Sequence, residues 1–338
     1  MNLFELTRAL IDIDSVTPNE LKIGNFLFEY LRPLAERHGG KIERSEAAPG
    51  RSNVFVCWGK PEVVFSTHMD TVPPFIPSRE DDEYIWGRGA CDTHGIAASM
   101  IKAIEALLGE GVRDLGLLLV VGEEIDGLGA MHANRNPPDV KYLINGEPTE
   151  NKLAIGSKGS LRLELKANGK AAHSAYVELG DSAIDKLLDN LEALRALELP
   201  VDPVLGVSTL NIGTIAGGEA GNIIASHASA AVVIRVVSDL EDLKKLVLGA
   251  LDDRVEIQIA TETPAIHLKS LPGFATEVVK YTTDIPKLTR WGEPLMLGPG
   301  SIHVAHTPEE RIPKKQMLEA VDLYQKLVKQ LKDNAVTA

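Results

Sequence analysis

HGIAASMIKAIEALLGEGVRDLGLLLVVG, residues His94–Gly122, changes periodicity partway along. Its first part repeats apolar residues at helical spacing and closes on glycine. Its last part, LGLLLVVG, is a short unbroken apolar run, the pattern of a strand buried on both faces. Upstream, NVFVCWG (Asn53–Gly59) and EVVFSTH (Glu62–His68) read as two more short buried strands. Downstream, YLINGEP (Tyr142–Pro148) reads as another, ending in an acid and a proline. The segment ahead of these strands has helical periodicity. Strands separated by helical patterns predict an α/β fold, a mixed and largely parallel sheet with helices on both faces. Such sheets bind ligands beyond the carboxyl ends of their strands.

From about Ala154 the texture changes. SLRLELKANG (160–169) alternates strictly, and DSAIDKLLDNLEALRAL (181–197) is an amphipathic helix. ASAAVVIRVV (228–237) is a strand, DLEDLKKLVLGAL (239–251) a second helix, and RVEIQIA (254–260) a further strand. This block predicts an inserted α+β domain over residues 155–265. Residues 1–154 and 266–338 then form a first domain built from both ends of the chain.

The chain has 338 residues, 44% of them hydrophobic, enough for a sizeable core. Its start is broken by Glu5, Arg8, Asp12 and Asp14, unlike the apolar core of a secretory signal, and no window reaches the length of a membrane span. Two cysteines, Cys57 and Cys91, supply neither a disulfide framework nor a thiolate metal cluster, so a reducing cytoplasm is expected. A net charge of −13 without clustered Lys and Arg argues against a nucleic-acid partner. Any metal would have to be held by His, Asp and Glu.

Those residue types recur where strands end. STHMDTVPP (66–74) places His68 and Asp70 at a strand terminus, and its prolines forbid the strand from continuing. Asp92 follows in GRGACDTHG, Glu123 and Glu124 in VVGEEIDG, Glu147 in NGEPT and His306 in AHTPEE. Singly, each has an ordinary reading, since acids after strands cap helices and loop histidines face solvent. Together on one rim the acids would repel strongly unless a cation lay among them. Two histidines and several carboxylates suit zinc, and a carboxylate beyond the ligand set could act as a base.

STHMDTVPP, GRGACDTHG, GEEIDG, GEPT, GKAAHSAY and AHTPEE, in that order over nearly the whole chain, resemble one family of co-catalytic zinc hydrolases. It comprises acetylornithine deacetylase, succinyl-diaminopimelate desuccinylase and glutamate carboxypeptidase. The resemblance implies a zinc-peptidase-like catalytic domain with an inserted lid and dimerisation domain. It implies two Zn²⁺ per subunit, replaceable by Co²⁺: His68 and Glu147 on one ion, Glu124 and His306 on the other, Asp92 bridging both. Asp70 would hydrogen-bond His68 and fix its ring, and Glu123 would be the general base. His173 in GKAAHSAY would reach the active site of a partner subunit and stabilise the oxyanion. Asn222 and Arg235 in GGEAGNIIASHASAAVVIRV would hold the substrate, a guanidinium suiting a carboxylate. Gly298 and Gly300 in LGPGS would let the backbone approach it closely.

Val177 and His94 depart from the family pattern, which usually has proline and often lysine there, but neither is a ligand position. His303 rivals His306, whose flanking residues match the motif; His38, His132, His227 and His267 have no motif and read as structural. The expected activity is metal-dependent hydrolysis of an N-acyl amino acid by a cytoplasmic homodimer, of the acetylornithine deacetylase type. Alternatives on the same metals are a desuccinylase, a dipeptidase or carboxypeptidase, and a hydrolase of lysine or ornithine held on a carrier protein. From another class, a non-catalytic amino-acid-binding relative is opposed by the intact Glu123 beside intact ligands.

Overall fold

The computed structural model describes residues 1–336. Two compact units divide the chain: Met1–Ile155, Leu268–Glu277 and the chain from Thr283 onward form one, and Gly156–His267 with Val278–Thr282 the other. Ile266–His267 and Val278–Thr282, which the sequence reading assigns to the catalytic part, thus group with the second unit, and Ile155, assigned to the insert, with the first.

The first unit opens with α1 (Leu3–Ile11), whose Asn2 side chain accepts from the backbone N–H of Glu5 while Glu5 reaches back to Asn2. α2 (Leu21–Arg37), β1 (Lys41–Ala48), β2 (Arg51–Trp58) and β3 (Val63–His68) follow, then α3 (Gly95–Gly109), β4 (Leu115–Val120), α4 (Leu128–Ala133) and β5 (Tyr142–Asn145). The second unit contributes β6 (Gly159–Asn168), α5 (Ala183–Arg195), β7 (Thr209–Gly217), β8 (His227–Val236), α6 (Leu240–Gly249) and β9 (Val255–Thr263). The chain closes in the first unit with β10 (Glu293–Met296) and α7 (Lys314–Val336).

The six strands of the first unit lie in the order β1-β2-β4-β3-β5-β10. β4, β3, β5 and β10 are parallel, and β2 with β1 adds an antiparallel edge. Every residue of β3 and β4 is buried, as their unbroken apolar runs require. On one face Phe65, Leu117 and Leu119 pack with Ile101 and Ile104 of α3 and with Tyr324 and Leu327 of α7. Phe65 meets Tyr324 edge-on at 5.4 Å, and the Tyr324 hydroxyl donates to the Leu297 carbonyl. On the other face Val64, Leu118 and Leu143 pack with Ala130 of α4 and with Trp291. This is the mixed α/β sheet the sequence predicts.

The second unit is an antiparallel sheet in the order β7-β8-β6-β9. Along β6, Leu161, Leu163, Leu165 and Ala167 are buried while Arg162, Glu164 and Lys166 are exposed, so one face is core. α5 and α6, capped by Ser182 and Asp239, bring Leu187, Leu191, Leu194, Leu243 and Val247 to that core. Among the described residues no helix is long and apolar enough to cross a membrane.

Candidate metal centre

Three parallel strands of the first unit end at one rim. His68 is the last residue of β3, Glu123 and Glu124 lie in the turn after β4, and Glu147 follows β5. Asp92 sits in the tight turn Ala90–His94 ahead of α3. His306 comes from the turn segment between β10 and α7 with φ 63°, a left-handed conformation uncommon outside glycine. The loop after β4 is pinned by Asn53, whose amide donates to Gly129 O and whose carbonyl accepts from Val121 N.

Asp92 is the hub. One of its oxygens lies 3.0 Å from His68 Nε2 and the other 3.2 Å from His306 Nε2. His306 Nε2 is also 3.1 Å from Glu124 Oε2. Ligand atoms of His68, Asp92 and Glu124 all lie within 4.8 Å of one another. Glu147 is buried, and its Oε1, like that of Glu124, has no hydrogen-bond partner. The carboxylate of Glu123 makes no hydrogen bond among the described residues.

Asp70 acts differently from the expectation. His68 Nδ1 is 2.9 Å from the Asp70 backbone carbonyl, and the Asp70 carboxylate is farther, at 3.6 Å. That carboxylate instead accepts from Thr17 Oγ1 at 2.7 Å and from the backbone N–H groups of Glu123 and Glu124 at 3.1 and 3.3 Å. Asp70 therefore orients the imidazole chiefly through its main chain and holds the Glu123–Glu124 turn with its side chain.

Burial pushes the carboxyls of Glu123, Glu124 and Glu147 up, with their acidic neighbours adding to the effect and the nearby histidines opposing it. Burial alone would lower His68, but Asp70 and Asp92 raise it well above the usual imidazole range. Hydrogen bonds to Asp92 and Glu124 push His306 up to about 10. Burial also pushes Asp284 up to about 6; both its oxygens lack hydrogen bonds and Lys287 Nζ stands 3.7 Å away. Like charges this close, with buried unpartnered oxygens among them, fit divalent cations, and nitrogen and oxygen donors of this kind suit the zinc class.

Sequence reasoning missed Asp284, which interacts electrostatically with His68, Asp70, Glu123 and Glu147. Its only local signal is the Asp-Ile-Pro start of a short 3₁₀ turn, Ile285–Lys287. Gly298 and Gly300 have a packing reason to be glycine. A Cβ on Gly298 would lie 2.4 Å from Glu147 O, and one on Gly300, at φ 92°, would lie 2.7 Å from Cys91 Cβ.

Three further candidates lie in the second unit. His173 is exposed, accepts from Ala175 N through Nδ1 and bridges Ile223. Asn222 is its neighbour on the facing loop, where Asn222 O accepts from Ser174 N. Arg235, on β8, is half-buried and has no acid partner among the described residues; burial and the nearby Arg162 lower its pKa. An ordinary strand ion pair does not account for it.

Residues 64–330 match the model of peptidase family M20/M25/M40. The chain is 40% identical over 340 residues to a peptidase M20 domain-containing protein of Schizosaccharomyces pombe, covering 97% of this chain and 84% of that protein. It is 36% identical to a probable carboxypeptidase of Talaromyces marneffei, covering 96% and 85%. Among solved structures, a tripeptidase from Staphylococcus aureus superposes with a TM-score of 0.78 at 23% identity, covering 96% of each chain.

Proposed function

This chain belongs to peptidase family M20/M25/M40, and from that premise we propose that it is a two-metal, zinc-type peptidase acting on short peptides with a free C-terminal carboxylate. The carrying observation is the bridge: Asp92 offers one oxygen to His68 and the other to His306, while the Glu123 carboxylate beside them has no hydrogen-bond partner among the described residues. His68 and Glu147 would hold one ion, Glu124 and His306 the second, and Asp92 both. When bound, such ions polarise the scissile carbonyl and make water acidic enough to attack at neutral pH. Glu123, fixed through its backbone N–H by Asp70, takes the proton of the attacking water and returns it to the departing nitrogen. Arg235, without an acid partner among the described residues, is the group that grips the substrate carboxylate.

The motifs alone favour an acetylornithine-type deacetylase, which no relative described above specifically supports. Relatives at this identity are named carboxypeptidases, and that shifts the reading to the peptidase alternative. Tripeptides with free or amidated C-termini, run beside N-acetylornithine, separate the readings. Release of the C-terminal residue from the free acids, with weak cleavage of the amides, is expected. Arg235→Ala should lose at least about tenfold in kcat/KM on the free acids and much of the acid-over-amide preference. Exclusive cleavage of N-acetylornithine would restore the deacetylase reading, and an unchanged preference would remove Arg235 from the substrate site.

We place His173 in the site of a second copy of the chain, where it would stabilise the oxyanion. The outer strand β7 supports a homodimer: its residues, Thr209–Gly217, include no charge and no proline, and Ile215 is exposed, so apart from a register shift between Ile212 and Thr214 the strand itself carries no feature that blunts an edge. Mixing inactive Glu123→Gln and His173→Ala proteins under demonstrated subunit exchange should restore activity, because one mixed site then holds both groups. Exchange without recovery contradicts the placement.

A further inference from the structure

We infer that the buried ion pair Arg88–Glu310 is a positioning device that sets three loops of the metal centre against one another, so that Asp92 can face His68 and His306 at once. The inference rests on the metal-centre reading above.

The geometry is direct. Arg88 Nη1 lies 2.6 Å from Glu310 Oε2, with the two side chains 2% and 1% exposed. The other Glu310 oxygen accepts from the backbone N–H groups of Cys91 and Asp92, each at 3.3 Å. Glu310 therefore grips the turn that carries the bridging carboxylate while standing four residues beyond His306 in the chain. Arg88 reaches the other two loops: Nε donates to Pro74 O at 3.3 Å, in the loop that follows His68 and Asp70, and Nη1 to Thr307 O at 3.4 Å, beside His306. The main chain repeats the stitch, with Arg88 N donating to Ile76 O and Gly87 N to Glu310 O.

A buried ion pair adds little net stability compared with apolar packing of the same volume, so its placement points to geometry rather than to cohesion. Apolar side chains at 88 and 310 could fill the space but could not bond to the N–H of Asp92 or to two loop carbonyls. Lysine would conserve the charge, yet its single ammonium lacks the planar fork that reaches a carboxylate and two separate carbonyls. The pair touches no ligand atom of the centre in the structure and acts through the backbone that carries the ligands.

The test compares zinc affinity in four metal-stripped proteins: the unmodified chain, Arg88→Lys, Glu310→Asp, and Leu327→Ala as a destabilised control in the core of the first unit. Glu310→Asp keeps the charge but withdraws the carboxylate from the Cys91 and Asp92 N–H groups. Arg88→Lys and Glu310→Asp should bind zinc about 10- to 100-fold more weakly than the unmodified chain, the scale for partners that orient metal ligands. Leu327→Ala should bind close to normally despite a comparable fall in melting temperature. Affinities for both pair variants equal to that of the control would overturn the inference, leaving the pair a structural element only. Failure of both variants to fold without metal would overturn it too, because the pair would then serve the whole fold. If the unmodified chain takes up no zinc, the metal-centre reading itself fails, and that outcome is visible before any variant is compared.

Discussion

Asp92→Ala should give a folded protein that retains neither metal ion and hydrolyses peptides at background rate. The side chain contacts His68 through one oxygen and His306 through the other, so its removal takes a shared ligand from both positions at once. Loss of any other single ligand would leave one ion with its full set. The metal-free fold should survive with reduced stability: the deletion relieves repulsion on Glu123, Glu124 and Glu147 but also takes away the carboxylate that His68 and His306 share. The backbone N–H of residue 92 keeps its partner in Glu310. Elemental analysis after gel filtration checks the first part and thermal melting of the metal-free proteins the second. Two retained ions in the variant would remove the bridge from the account.

Glu123→Gln should separate chemistry from metal binding. Glutamine keeps the shape and the Asp70 contact to the backbone N–H but cannot take a proton. Metal content near that of the unmodified chain is expected, with kcat lower by about 10²- to 10⁴-fold, the range for loss of a general base. KM should change little, because no interaction with the bound peptide is removed. Near-normal turnover would move the base elsewhere, with Glu124 the first candidate by adjacency.

The two carboxylates are adjacent in sequence, and the structure distinguishes them. The Glu124 carboxylate already pairs with His306, whereas the Glu123 carboxylate pairs with no group among the described residues. Sequence alone proposes one ligand and one base in this pair, and the contact with His306 supports Glu124 as the ligand. The sheet was easier to read, because β3 and β4 are unbroken apolar runs and α3 ends at glycine, patterns that local physics ties to one structure. The rim was legible because each of its acids and histidines follows a strand or a glycine turn. Asp284 was not, since it enters from a segment beside a short 3₁₀ turn and only tertiary packing brings it near His68. Arg88 and Glu310 lie 222 positions apart, a separation that no local pattern bridges. The role of Asp70 turned on which of its oxygens faces the ring, a matter of atoms rather than residue type. The substrate class was the least legible element. The motifs resemble a metal centre common to deacetylases and peptidases, and only the likeness to relatives named probable carboxypeptidases favours the peptidase.

This rim should hold two divalent ions. Titrating the metal-free protein with zinc in a calorimeter, in two neutral buffers of different ionisation enthalpy, tests it most directly. Two equivalents should bind per chain with net release of protons, because His306, pushed up to about 10, and the raised His68 must give up their protons to accept metal. Uptake should therefore weaken as the pH falls. A single equivalent, or binding with no proton release at neutral pH, would contradict it.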